Sequence, residues 1–185
     1  MTDRPRRRTV LQTAVSLALA QAAISSSPAD AAEPVGTGKP GEFDFLQGSW
    51  RIAHRRLKAP GEWDVFEGEA TCWSILGGVA SIEELRIPAR NFSGMGLRLL
   101  DREQGRWADF WVNSRSGVLT PPPTWGAFKD GAGVFEADDK DGEAPIKVRG
   151  VWDAITPTSC RWSQAVSRDG GATWEDNWLM DWRRA

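Results

Sequence analysis

From residue 43 onward, apolar and polar positions alternate in short runs separated by turn residues. Trp50–Leu57, Trp63–Trp73, Val79–Ile87, Phe92–Leu100, Arg106–Asn113, Ile146–Ile155, Cys160–Val166 and Asn177–Arg184 read as strands, with a further short one at Phe135. Their breaks are Pro60-Gly61, Gly77-Gly78, Pro88, DREQG, SRSG and Thr156-Pro157. About nine strands with a turn signal every 8 to 14 residues is the cadence of an all-β barrel or sandwich. LTPPPTWG holds three prolines in a row, which excludes a central strand there. EADDKDGE, after Phe135, reads as a charged turn, and FDFL at 43–46 as one short helical turn. No segment after residue 43 sustains a helical period, and no unit of 20 to 50 residues repeats, so a propeller or solenoid is not supported.

Strand alternation sorts side chains onto faces. Trp50, Ile52, His54 and Arg56 share one face, so an inward Trp50 brings His54 in with it. Further on, Trp107, Asp109, Trp111 and Asn113 share a face against Ala108, Phe110 and Val112. Rings mixed with a few polar groups are what a small-ligand pocket requires, so the tryptophan set is expected inside. The alternative buries Ala108, Phe110 and Val112 and leaves two tryptophans outside. The candidate ligand-binding residues are His54, Glu83, Arg98, Trp111, Asn113 and Gln164.

SRDGGATW, residues 167–174, fits the Asp-box pattern S-x-D-x-G-x-T-W. It lies between two strand-like runs, CRWSQAV and NWLMDW. Ser and Asp side chains bond nearby backbone N–H groups, and the paired glycines tolerate positive φ. Asp169 and Trp174 are therefore expected to be structural. A sialidase propeller needs several such boxes, and this chain has one.

Composition changes the picture in four places. Arg4, Arg6, Arg7 and Arg8 precede an apolar run from Thr13 to Ile24 and the small-residue triplet Ala29-Asp30-Ala31. That is the form of a secretory signal over 1–31, with Arg7-Arg8-Thr9-Val10-Leu11-Gln12 resembling a twin-arginine export motif. Periplasmic or secreted protein is the expectation, with a Gly- and Pro-rich flexible lead-in at 32–42 and one domain at 43–185. Without the signal, 19 basic and 23 acidic side chains remain, a net charge near −4 with no basic cluster, so nucleic acid is not an expected partner. No later stretch could cross a membrane as a helix. Cys72 and Cys160 have the opportunity to pair in an oxidising compartment, or stay as two buried thiols; spacing leaves both open. Eleven tryptophans and no tyrosine point to a core rich in indoles.

FDFLQGSW ends in Gly48-Ser49-Trp50, a G-x-W at the head of the first strand. With LGG at 76–78, FSGMGLRLLD at 92–101, RWADFWVNSRSG at 106–117, GVFEADD at 133–139 and LMDWRRA at 179–185, the chain resembles a calycin-like bacterial family of unknown function, akin to lipocalins and fatty-acid-binding proteins. The resemblance implies an antiparallel barrel of about 8–10 strands with an internal cavity. It also implies that Trp50 packs at the closed end under a cation from the last strand, Arg183 or Arg184. Oligomeric state stays open.

Other chemistry has less behind it. His54, the only histidine, is the one candidate haem ligand, though no cofactor is expected. One histidine and two distant cysteines do not make a zinc site. Glu67, Glu69, Glu83 and Glu84 offer carboxylates for a hydrolase acting on a sugar or ester at the barrel mouth. The reading that covers most of the chain is an exported barrel holding a small, partly apolar molecule, with no enzyme activity required.

Overall fold

A computed structural model describes residues 37–185. The expected signal peptide at 1–31 and the start of the lead-in lie outside the described residues. Ten strands follow: β1 (Gly48–Ala59), β2 (Glu62–Ile75), β3 (Ala80–Ile87), β4 (Phe92–Asp101), β5 (Arg106–Asn113), β6 (Thr124–Lys129), β7 (Ala132–Asp141), β8 (Ala144–Asp153), β9 (Ser159–Ser167) and β10 (Glu175–Arg184). Each pairs antiparallel with its sequence neighbour, and β1 pairs β10 to close an up-and-down barrel. The fold is an all-β, calycin-like barrel with three single 3₁₀ turns.

Two strand assignments differ from the sequence reading. β6 starts at Thr124, directly after the prolines, and reaches β5 through only three residue pairs, Trp107–Asp109 with Gly126–Thr124. The prolines end the neighbouring ladder without forbidding the strand behind them. EADDKD belongs to β7, and the turn narrows to Gly142 and its neighbours. β7 runs on because these carboxylates stand at an exposed barrel end, where Lys147 pairs with Asp138 across the β7–β8 ladder at 2.9 Å. Charge opposes a strand only when it must be buried.

The lumen holds one periodic face of every strand. Trp50, Ile52 and His54 turn inward and are essentially inaccessible. On β5, Trp107 and Asp109 turn inward with Trp111, so the mixed tryptophan–carboxylate face is the inner one. Glycines on this face make room for rings: a Cβ on Gly68 would lie 2.5 Å from His54 Nε2, and one on Gly94 would collide with the Trp111 ring.

The base is plugged by the 3₁₀ turn Asp44–Leu46 and the residue before it. Phe43 meets Trp107 and Phe128 edge to face at 4.9 and 5.0 Å, and Phe45 meets Trp152 at 5.8 Å. Trp50 Nε1 donates to Leu46 O at 2.7 Å. Of the two terminal arginines, Arg184 lies over Trp50, its guanidinium carbon 4.0 Å from the ring centroid, and Arg183 is exposed on the other face. Arg184 also donates from Nη2 to Phe45 O at 2.8 Å, from Nη1 to Gln47 O and from Nε to Pro157 O at 3.2 Å. One side chain thus joins the plug, the β8–β9 loop and both closing strands.

Residues 37–42, expected to be flexible lead-in, are tied to this end. Gly41 N donates to Gly78 O at 2.9 Å, and Trp107 Nε1 donates to Glu42 Oε2 at 2.8 Å. Cys72 and Cys160 are free, buried thiols. Burial, with Glu83 adding to it, raises both pKa values, that of Cys160 to about 12 although Arg184 opposes the shift.

The Asp box is a tight turn between β9 and β10. Ser167 Oγ donates to Asp169 Oδ1 at 2.7 Å and accepts from Gly171 N at 2.8 Å. Thr173 Oγ1 and N donate to Asp169 at 2.6 and 2.9 Å, which holds that carboxyl well below the usual carboxylate range. Trp174 Nε1 donates to Gly171 O at 3.0 Å, and Arg149 lies over its ring at 3.8 Å. The Ser167, Asp169 and Thr173 side chains and the Trp174 N–H all bond within the turn, as a structural role requires.

Arg184→Ala should lower unfolding stability by about 2–3 kcal/mol, since it strips a cation from an indole and partners from three carbonyls. Arg183→Ala should stay within about 0.5 kcal/mol of wild type. Urea titration followed by near-ultraviolet circular dichroism measures both.

Candidate functional site

Above the plug the lumen opens into a cavity of about 260 Å³. Its apolar wall is built from inward residues of adjacent strands, chiefly Trp152 of β8, Trp162 of β9 and Trp178, Met180 and Trp182 of β10, with Leu85 of β3. Trp178, Met180 and Trp182 stand two residues apart, so one strand presents all three to the same space. Polar groups enter from the other side: Glu83, Arg98, Asp109, Thr124 and Gln164.

Arg98 organises the polar side. In register, Glu83 sits opposite Gly96 and Arg98 opposite Asp109. With no side chain at 96, the Arg98 guanidinium folds back over the glycine; a Cβ there would lie 3.1 Å from Nη2. Nη2 donates to Glu83 Oε2 at 2.6 Å, and Nε stands 3.6 Å from Asp109 Oδ1. The guanidinium carbon is 5.1 Å from the Phe43 centroid and 5.3 Å from that of Trp152. Arg98 and Glu83 are almost wholly buried, with 4% and 2% of their surfaces accessible.

Burial works against the Arg98 charge, but the Glu83 and Asp109 carboxylates outweigh it and raise the pKa. Asp109 shares the site unequally. Burial raises its carboxyl to about 6, with Arg98 opposing and Glu83 adding to the shift. The cluster thus carries one firm ion pair and one carboxyl that gains its proton just below neutrality.

Four N–H donors on the residues of this wall are buried without a partner: Nε and Nη1 of Arg98, Nε1 of Trp152 and Nε1 of Trp182. An unmade hydrogen bond of this kind costs about 1–3 kcal/mol. Their chemistry asks for acceptor atoms.

Of the six residues expected to bind a ligand, Glu83, Arg98, Trp111 and Gln164 are in the cavity wall. Asn113 is not: its Oδ1 accepts from Arg115 N at 2.9 Å and its carbonyl from Ser116 and Gly117, so it caps the turn after β5. His54 is inward but sealed behind Trp178 and outside the wall. Its ring stacks on Phe66 at 4.5 Å, Nδ1 accepts from Trp178 Nε1 at 3.2 Å, and Nε2 faces Gly68. Both nitrogens are enclosed by protein, so His54 does not fit axial ligation of a haem. Glu67, Glu69 and Glu84 face outward, the last two bound to Arg86 at 2.8 Å, so they do not assemble with Glu83 as a mouth-side catalytic group. The described residues hold no cluster of three or more metal-ligating side chains and no helix long and apolar enough to span a membrane.

The sequence reading put Asp109 on the inner face without naming it as ligand-binding, and did not place Thr124 or the four tryptophans of β8–β10 in the site. The signal was present for the tryptophans: Trp178, Met180, Trp182 and Arg184 alternate with Leu179, Asp181 and Arg183.

Comparison with known proteins gives structural likeness only. No family model matches the chain, and no curated protein matches its sequence. It is similar to Rv2717c from M. tuberculosis, with 13% identity and a TM-score of 0.49 over 78% of this chain and 97% of that one. It is also similar to a DUF3598-family protein of unknown function from Nostoc punctiforme, with 13% identity and a TM-score of 0.42 over 77% of this chain and 48% of that one. A third likeness is to the S-type phycobiliprotein lyase CPES from Guillardia theta, with 12% identity and a TM-score of 0.49 over 77% and 90% of the two chains.

Burial, helped by nearby Arg90, lowers the His54 pKa from 6.5 to about 4. The unfolded chain therefore takes up this proton first, and the stability held above pH 6.5 is lost on descent toward pH 4, on the order of 3 kcal/mol. Asp109 works oppositely over the same range, because its folded form takes up its proton first. The difference between wild type and His54→Gln isolates the histidine. Denaturant midpoints from pH 7 to 4 should fall more steeply in wild type than in the variant.

Proposed function

We propose that the protein is an exported binding protein that holds one small, partly apolar molecule in the lumen of its barrel. The observation that carries this reading is the tryptophan-walled cavity, whose lining residues Arg98, Trp152 and Trp182 keep four N–H donors buried without a hydrogen-bond partner. A flat apolar body would lie against Trp162 and Trp178, and acceptor atoms on the molecule would meet Arg98, Trp152 and Trp182. A volume of about 260 Å³ is near the lower end of ligand pockets, which run to roughly 300–1,000 Å³, so a molecule of one or two rings suits it better than a long chain. The basic cluster, apolar run and Ala29-Asp30-Ala31 support export to the periplasm or beyond. Edman sequencing of secreted protein tests that part, with a mature start near Ala32 expected.

Catalysis has less support. Glu83 is engaged with Arg98, and burial raises the Asp109 carboxyl to about 6.

Two probes separate apolar burial from donor pairing. 2-Naphthoate carries acceptors, and 2-methylnaphthalene has the same ring system without them. Tryptophan fluorescence should be quenched saturably by both, with naphthoate binding at least tenfold more tightly. Trp152→Phe and Trp182→Phe keep a ring and lose one N–H each, and each should weaken naphthoate about fivefold, the equivalent of about 1 kcal/mol. Naphthoate affinity should rise as pH falls through about 6, where Asp109 gains its proton, and Asp109→Asn should flatten that profile. Weak, non-saturating quenching by both probes would refute the reading.

A further inference from the structure

The cavity wall leaves the inner face of the barrel at one place. It runs through three consecutive residues of β5, Asp109, Phe110 and Trp111, and crosses to Thr124 of β6. Successive strand residues point to opposite faces, and Phe110 points outward. The Asp109–Thr124 pair is also the last rung of the β5–β6 ladder. β4 stays paired with β5 as far as Asn113, so from Phe110 to Asn113 only the edge toward β6 lacks a partner strand. Here the cavity wall reaches a strand edge with no partner.

Trp111 stands at this break. It belongs to the inner face, yet 45% of its surface is accessible, against 0% for Trp107 on the same face. Its ring lies against Gly94, so closely that a methyl group at 94 would overlap it. Gly94 has no positive φ, so its lack of a side chain serves the ring and not the backbone.

We propose that small molecules enter and leave the cavity sideways, through the seam between β5 and β6, with the Trp111 indole as the gate and Gly94 as its seat. This rests on the lumen being a binding site. The closed position is the ring on Gly94. The rival route runs through the end of the barrel, past Phe66 and His54, which stack at 4.5 Å. Passage along the seam favours thin, flat solutes over branched ones of equal volume.

Gly94→Ala tests this by displacing the gate without removing it. Stopped-flow quenching with 2-naphthoate should show association and dissociation both at least fivefold faster than wild type, with Kd unchanged within twofold. Thr124→Trp fills the seam from the opposite lip and should slow both at least fivefold. Phe66→Ala should leave both rates unchanged. A faster Phe66→Ala with Gly94→Ala at the wild-type rate would overturn the proposal, as would a Gly94→Ala whose Kd moves while its association rate does not. A second measurement needs no ligand. Exchange of the Trp152 and Trp182 indole N–H protons, followed by NMR, should quicken at least tenfold in Gly94→Ala. Trp50, whose N–H is bonded to Leu46 O, should be unaffected. Unchanged indole exchange would refute the gate even if the probes bind; failure of both probes with quickened exchange would refute the binding reading and leave the seam standing.

Discussion

Arg184 over Trp50 is the contact on which this barrel depends. A ten-strand meander has two free edges until β1 meets β10, and an open sheet has no lumen. The Trp50–Arg184 pair is the last rung of that closing ladder, and the same guanidinium ties the 3₁₀ plug and the β8–β9 loop through three carbonyls. A cation near an indole in a partly desolvated site contributes about 1–2 kcal/mol, and charge-assisted hydrogen bonds add to it. With the base sealed by Phe43, Phe45 and Leu46, the space above it becomes a cavity and not a channel.

The contents of that cavity follow from the alternation that closes it. Because β5, β8, β9 and β10 each turn tryptophan inward, the lumen is lined with indoles, and glycines at facing positions give the rings room. Into this apolar space the chain puts Glu83, Arg98 and Asp109. An ion pair so placed contributes little to stability against its desolvation cost, since apolar residues of similar volume would serve as well or better. Its presence, with donors left over on Arg98 and on two indoles, makes more sense for recognition than for folding. Asp109 adds a dependence on acidity: its proton arrives near pH 6 and turns a site of net charge −1 into a neutral one.

Much of the architecture was legible in the chain. Nine of the ten strands were marked by alternation and turns, β7 only as a short run at Phe135; G-x-W located the base, and the Asp box was readable as a hairpin from its own hydrogen-bonding residues. The choice between Arg183 and Arg184 was also encoded. Arg184 shares a face with Trp178, Met180 and Trp182, and an inward cation over Trp50 must belong to that apolar set. β6 was hidden because it is short, begins beside three prolines and holds only three rungs with β5. The length of β7 was hidden because a run of carboxylates can form a strand where an exposed end keeps it solvated. The site was half legible. Glu83, Arg98, Trp111 and Gln164 lie on inner faces that alternation gives. His54 and Asn113 fail for reasons of depth and not of face: one is sealed behind Trp178, the other is spent on a turn. Asp109 needed the register, because only the Arg98–Asp109 pairing shows that the carboxyl stands beside a guanidinium.

The central claim is that the unpaired indole donors of the lumen meet acceptor atoms of a bound molecule. The proton–nitrogen correlation spectrum of the indole N–H groups, recorded during addition of 2-naphthoate, addresses it directly. The account predicts saturable downfield movement of the Trp152 and Trp182 signals while Trp50, already bonded to Leu46, stays in place. Unmoved Trp152 and Trp182 signals, with linear drift confined to exposed indoles such as Trp73, would contradict it.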